Sequence, residues 1–142
     1  MSVFGGALRD DGAHIFPVRV YFEDTDFSGN VYHAAYLKFF ERARTEYLRA
    51  HGIHHHELAQ EGMAFAVREM TISYDRAAHI DDLLEVVTSP VAASGARFVL
   101  DQHMARGEEI VCRAKVTAVL LNASGRPVRL PDTLRARLFA SD

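Results

Sequence analysis

Hydrophobic and polar positions alternate with a period of two near the start of the chain. The alternation begins at Phe16. Val18, Val20 and Phe22 point to one side and polar or larger residues to the other, which predicts a strand with one buried face. Residues 24–30 follow and are rich in Asp, Ser, Gly and Asn, which is typical of a turn.

After this turn the spacing of the hydrophobic positions changes to a period of 3.6 residues, which predicts one long amphipathic helix. Its apolar face is formed by five side chains, Tyr36, Phe40, Ala43, Tyr47 and Ala50. Gly52 can take the left-handed conformation that ends a helix, so the helix should stop near His51. Two shorter helices are expected over residues 55–60 and 132–138, and Pro131 suits the start of the second.

The remaining chain alternates as strands joined by tight turns. Strands are predicted within residues 70–75, 83–91, 98–104 and 110–121. A strand, a long helix and then several long strands predict an α+β fold with a mainly antiparallel sheet. One helix is too little to cover both faces of such a sheet, so we expect a homo-oligomer, either a dimer or a tetramer.

Composition limits the class of protein. The 142 residues suit one domain, which we place at residues 16–142 after a loose N-terminal arm at residues 1–15. A net charge of -3 argues against a nucleic-acid binder. With one cysteine, Cys112, no apolar run of about 18 residues and no signal-peptide pattern, we expect a cytoplasmic protein without a transmembrane segment.

Candidate chemistry is concentrated between the first strand and the long helix. Asp24 and Asp26 lie just before a helix start, where unpaired N–H groups can stabilise an oxyanion. A carboxylate facing such a site can act as a base or as a nucleophile. Alternatively, both residues only turn the chain and cap the helix. The spacing also matches part of a calcium loop, but Ala35 stands where that loop needs glutamate.

The string at residues 20–48 resembles the 4-hydroxybenzoyl-CoA thioesterase-like hotdog family. The pattern Asp-Thr-Asp, Gly, Val-Tyr-His and Tyr-Leu is especially similar to the Tol-Pal-associated, YbgC-like acyl-CoA thioesterases. Residues 65–74 and 81–85 extend the likeness over most of residues 16–138. The resemblance implies a hotdog fold, a curved antiparallel β-sheet wrapped around one long central α-helix. It also implies sites between protomers and hydrolysis of acyl-CoA, with acyl carrier protein conjugates as further substrates.

The resemblance carries roles to particular residues. The catalytic carboxylate falls on Asp26, and the N–H groups that polarise the thioester fall near Tyr32 and His33, which also shape the pocket or assist proton transfer. The implied acyl site lies beside the substrate-binding candidates Phe27, Asn30 and Val31. Phe27 and Asn30 depart from the family, which usually has a small and an aliphatic residue there. Because CoA carries phosphates, we also expect a basic rim, and its substrate-binding candidates are Arg68, Arg76, Arg97 and Lys115.

Two alternative functions and one alternative site remain open. A hotdog hydratase or dehydratase usually carries an Asp-x-Asn-Pro-x-His-type string, whereas Phe-Ser-Gly-Asn follows Asp26 here. A non-catalytic acyl-CoA binder linked to envelope proteins is the other alternative. The histidines at 51–56 favour a solvated loop over a metal site, because neighbouring side chains do not converge on one ion. We therefore expect no metal and no cofactor, and Cys112 is expected to be a core residue.

Overall fold

The structure, a computed structural model, describes residues 4–139. This part of the chain forms one antiparallel sheet and three helices. The strands are β1 (Ala7–Leu8), β2 (His14–Arg19), β3 (Met63–Tyr74), β4 (Leu83–Ser94), β5 (Arg97–Arg106) and β6 (Glu109–Asn122). The helices are α1 (His33–Ala50), α2 (His55–Gln60) and α3 (Asp132–Leu138), with a 3-10 turn at Phe22–Asp24. The strand order is β1-β2-β4-β5-β6-β3. The predicted α+β fold with an antiparallel sheet is confirmed.

Helix α1 packs its apolar face against the sheet. Its buried side chains are Ala35, Tyr36, Phe39, Phe40, Ala43, Tyr47 and Leu48. The first five pack with strand residues such as Val20, Leu84 and Val116, and the last two pack in a second cluster with residues such as Phe98 and Leu120. Each large apolar side chain contributes about 1.5–3 kcal/mol by burial. The predicted face is confirmed except at Ala50, which is exposed at the last turn of the helix. Among residues 4–139, no helix has the length and apolarity needed to cross a bilayer.

The N-terminal segment differs from the prediction of a loose arm. β1 pairs with the start of β2, with Ala7 opposite Ile15 and Leu8 opposite His14. Ala13 and His14 are fully or almost fully buried beneath this small ribbon. The prediction is therefore wrong for residues 7–15, while residues 1–3 lie outside the described part of the chain.

The end of the first strand also differs from the alternation in the sequence. Phe22 was expected to face the core, but it lies in the 3-10 turn and is 80% exposed. The physical cause is the side chain of Asp24, whose Oδ2 accepts a hydrogen bond of 2.9 Å from the N–H of Tyr21. This bond bends the chain out of the sheet before the alternation reaches Phe22.

The face of the sheet that α1 does not cover is polar. It carries hydroxyl and charged side chains, among them Thr71, Ser73, Ser89, Asp101, Arg113 and Lys115. This face needs no apolar partner. The edge strand β3 differs from it, because one side of its 12 residues has no neighbouring strand in the described chain and is free to pair with another strand.

Cys112 lies on the buried face of β6. The residue has no accessible surface, and desolvation, with a smaller effect of Asp75, raises the pKa of its thiol to about 12. Because the thiolate is the reactive form, we expect Ellman's reagent to leave the native protein unlabelled at pH 8. Denaturation should expose one thiol per chain. Rapid labelling of the folded protein would contradict this burial.

Candidate active site

Asp26 is the first residue of a tight five-residue turn, residues 26–30, which lies between the 3-10 turn and α1. Its Oδ1 accepts hydrogen bonds from the N–H of Ser28, at 2.8 Å, and from the Ser28 hydroxyl. These two bonds, first the hydroxyl and then the N–H, lower the pKa of the Asp26 carboxyl. The side chain is therefore a carboxylate at neutral pH.

Helix α1 begins beside this carboxylate without a side-chain cap. Tyr32 occupies the N-cap position, and no side chain of the described residues caps this helix start. Tyrosine is a poor capping residue, so the N–H of His33, the first helical residue, has no acceptor within the helix. The helix dipole adds partial positive charge at the same place. The arrangement can stabilise an oxyanion that develops next to Asp26.

A cleft of about 320 Å³ joins the carboxylate to the helix start. Its lining residues are Asp26, Asn30, Val31, Tyr32, His33, Tyr36, Tyr74, Asp75, Arg76 and Ala77. The structure thus brings six of the predicted site residues together. Asp24 lies outside the cleft and supports it, because its C=O accepts a hydrogen bond of 2.9 Å from the N–H of Tyr32.

Two predicted substrate-binding residues do not reach the cleft of their own chain. Phe27 sits at the tip of the turn and is fully exposed. Arg68 lies at a β-bulge in the edge strand β3 and is also exposed. Of the further phosphate candidates, Lys115 lies on the polar outer face and Arg97 at the start of β5, outside the cleft.

Two aromatic side chains of the cleft were not among the sequence candidates. Tyr36 follows Tyr32 by one helical turn, and its hydroxyl accepts a hydrogen bond of 3.0 Å from the N–H of Ala78. Tyr74, at the end of β3, meets the His33 ring edge-on at a centroid distance of 5.0 Å. The spacing from Tyr32 could have indicated Tyr36, but no local pattern indicates Tyr74.

The charged rim of the cleft consists of ion pairs. Arg76 Nε lies 3.2 Å from Glu109 Oε2, and Arg113 Nε lies 2.9 Å from Asp75 Oδ2. Both arginines are more than half exposed, and pairs of this kind contribute only about 0–1 kcal/mol. A phosphate group could therefore compete with Glu109 for Arg76 at little cost.

The histidines between α1 and α2 do not form one cluster. His51 Nδ1 lies 2.9 Å from the C=O of Arg137, and His54 Nδ1 lies 3.3 Å from Arg49. Among residues 4–139, no group of three metal-ligating side chains converges at one point.

Comparison with known proteins places this geometry in a class. An antiparallel sheet packed around one long helix is the architecture of hotdog-fold thioesterases. The family model of the thioesterase-like superfamily matches residues 20–138, and the chain belongs to this superfamily.

Individual relatives agree with this assignment. The acyl-CoA thioesterase YbgC of Haemophilus influenzae is 42% identical over 128 residues, which is 89% of this chain and 94% of the relative. A probable thioesterase from Bartonella henselae has 48% identity and a TM-score of 0.81, over 84% of this chain and 99% of that chain. The 1,4-dihydroxy-2-naphthoyl-CoA thioesterase Slr0204 from Synechocystis, at 23% identity over 89% of this chain and 95% of that chain, shares the fold with a TM-score of 0.82.

Proposed function

We propose that the protein hydrolyses acyl-CoA thioesters to a carboxylic acid and free CoA. One observation carries the proposal: an ionised carboxylate and an uncapped helix start line the same cleft. The names of the relatives, acyl-CoA thioesterase and probable thioesterase, support the same substrate class. The proposed reaction uses only water and groups of the protein itself, so the proposal includes no cofactor and no metal.

In the proposed mechanism, the thioester C=O accepts a hydrogen bond from the N–H of His33 at the start of α1. Attack by Asp26 Oδ2 on the carbonyl carbon forms an anhydride and breaks the C–S bond, releasing the CoA thiolate. Water then hydrolyses the anhydride. Alternatively, Asp26 accepts a proton from a water molecule that attacks directly. The lowered pKa of Asp26 keeps the carboxylate ionised, which both routes require.

Ser28 should control the acid side of the pH profile. Activity requires ionised Asp26, so it should fall only as the pH drops through the lowered pKa of this group. In Ser28→Ala the hydroxyl donor is lost and the pKa of Asp26 rises, so activity should be lost at a higher pH than in the wild type. The pH dependence of kcat/KM measures the pH at which activity is lost, and an NMR titration of the Asp26 carboxyl measures the pKa of this group.

The matched control for this change is Ser124→Ala, which removes a hydroxyl bonded to Asn122 in a distant turn. It should leave the profile unchanged. If the activities of the wild type and of Ser28→Ala fell at the same acidic pH, the assigned role of the Ser28 hydroxyl would be contradicted.

The proposal includes a homodimer formed through the edge strand. Antiparallel pairing of two copies of β3 would place the Tyr74 end of one strand beside the Met63 end of the other. The cleft would then adjoin an apolar groove of the partner, which has a volume of about 310 Å³. Phe65, Leu48 and Phe98 are among its lining residues, and they suit an acyl chain. Two such dimers could form the expected tetramer.

Val67→Asp should weaken this association. Val67 is a 47% exposed aliphatic residue in the middle of β3, and its replacement would place a carboxylate in a desolvated contact. Sedimentation should show a shift to monomers. Ile110→Asp, the same change at a 39% exposed aliphatic residue of the β5–β6 hairpin, is the control. An unchanged assembly in Val67→Asp would argue against the β3 interface.

The proposed activity is tested by measuring the released product rather than substrate binding. We expect release of a free thiol from acyl-CoA and from acyl carrier protein thioesters. We expect no hydration of a 2-enoyl-CoA, which would instead indicate the hydratase class. Tight acyl-CoA binding without turnover would indicate a binding protein.

The proposal also includes a cytoplasmic location, which a single cysteine favours. Cell fractionation tests this location.

A further inference from the structure

A polar contact behind the cleft connects the Asp26 turn to a distant part of the chain. His79 Nδ1 lies 2.8 Å from Asn30 Oδ1, and the two residues also form an isolated antiparallel bridge. An aliphatic residue at position 30 could not make this hydrogen bond, so the contact depends on the asparagine amide.

The backbone of Asn30 determines where Asp26 sits. The N–H of Asp26 donates to the C=O of Asn30 at 2.9 Å, and the N–H of Gly29 donates to the C=O of Asp26 at 3.0 Å. Gly29 has a φ of +84°, which allows this closed turn. A shift of Asn30 is therefore transmitted to Asp26 through short backbone hydrogen bonds.

The segment that carries His79 is anchored to the sheet. The 79–82 turn is fixed to the end of β2, because the N–H of Asp81 donates to the C=O of Val20 at 3.0 Å and the N–H of Val20 donates to the C=O of Asp82 at 2.9 Å. The N–H of Ile80 also donates to the C=O of Gly29 at 3.0 Å. The 79–82 turn therefore supports the Asp26 turn from outside the cleft.

Charged groups hold the His79 backbone in place. Asp82 Oδ2 accepts hydrogen bonds from the N–H of His79, at 2.8 Å, and from Arg106 Nη1, at 2.7 Å. Arg106 Nη2 also donates to Glu109 Oε1 at 2.6 Å. Desolvation opposes ionisation of Asp82, but the two hydrogen bonds outweigh it and lower the pKa of this carboxyl. Asp82 thus remains charged and keeps the Arg106 contact at neutral pH.

We infer that His79 is a positioning residue that holds Asn30, and through it the Asp26 carboxylate, at the distance from the α1 start that the reaction requires. The inference rests on the proposed function of Asp26. An asparagine amide offers either an oxygen acceptor or an N–H donor, so it can pair with either neutral tautomer of the imidazole. The role of His79 is therefore geometric, and it requires a hydrogen-bonding atom at the place of Nδ1.

Two substitutions of His79 separate hydrogen bonding from bulk. His79→Leu keeps a side chain of similar size without a polar atom, and we expect kcat to fall by roughly 3- to 10-fold with KM within about 2-fold of the wild type. In His79→Asn the Nδ2 amide can occupy the place of Nδ1, and kcat should be largely retained. His56→Leu, the same change at an exposed position of α2, is the control.

A double variant tests whether the two side chains act as one unit. Asn30→Val should lower kcat to the same extent as His79→Leu, and the combined variant should be no slower than either single variant. The melting temperatures should stay close to that of the wild type because both residues lie at the surface. Multiplying effects on kcat, or a loss of Tm without a loss of kcat, would overturn the inference.

Hydrogen exchange gives a readout that does not depend on turnover. The amides of Asp26 and Ile80 should exchange faster in His79→Leu than in the wild type and His79→Asn. If folded wild type releases no thiol, the proposed function fails, yet faster exchange would still support the positioning of the turn. Equal exchange in all three proteins would overturn the positioning role whatever the activity.

Discussion

Asp26→Asn should lower kcat by about 10²–10⁴-fold, the range that a positioned general base or nucleophile supplies. The amide keeps the size of the carboxyl group and keeps an oxygen that accepts the Ser28 hydrogen bonds. It loses the negative charge and the nucleophilic oxygen. Because Asp26 is exposed, the fold should be unaffected. Thiol release measures the rate, and circular dichroism with thermal unfolding verifies the fold.

Asp24→Asn is the matched control for this prediction. Asp24 lies two residues away and outside the cleft, and its Oδ2 accepts a hydrogen bond from the Tyr21 N–H. Asparagine can accept the same bond, so kcat should change by no more than about 3-fold. Retained activity in Asp26→Asn, or an equal loss in both variants, would remove Asp26 from the centre of the mechanism.

His33→Pro should produce the second large effect, a fall in kcat of about 10²–10³-fold, as expected for loss of one oxyanion donor. Proline has no N–H, and at the first position of a helix it is tolerated without breaking the helix. The residue before a proline must be extended, and Tyr32 already has φ −70° and ψ 141°. The substitution therefore removes the proposed donor while α1 keeps its structure.

His33→Ala separates the effect of the backbone N–H on kcat from the effect of the side chain. It removes the imidazole, which packs against Tyr74, but it keeps the N–H. We expect a loss of kcat well below that of His33→Pro, together with similar helical content by circular dichroism. Equal losses in the two variants would assign the effect to the imidazole and would contradict the proposed oxyanion site.

Local patterns were sufficient for the elements that carry the fold. The period of 3.6 predicted the buried face of α1, and the segments His55–Gln60 and Asp132–Leu138 form helices with the predicted bounds. The strand alternation was equally informative, since Leu100 and Met104 are buried and Asp101 is exposed as expected. These elements have regular patterns because each buries one side in a hydrophobic cluster and leaves the other side exposed.

Features that depend on contacts between distant segments were not predictable. β1 has two residues and no period, and only its pairing with His14 and Ile15 makes it a strand. Tyr74 enters the cleft because pairing of β3 with β6 brings the end of this strand to the start of α1. The contact between Asn30 and His79 joins residues 49 positions apart. The full exposure of Phe27 at the tip of the tight turn likewise has no signal in the local sequence.

The most direct test of the proposed function is release of free CoA thiol by the wild-type protein. Acyl-CoAs from acetyl to palmitoyl, together with 4-hydroxybenzoyl-CoA, would be followed with Ellman's reagent, which should not react with the buried Cys112. We predict turnover of at least one of these substrates, and the ranking would define the preferred acyl group. Absence of thiol release from every substrate by folded protein would contradict the assignment of the cleft at Asp26 as a thioesterase site.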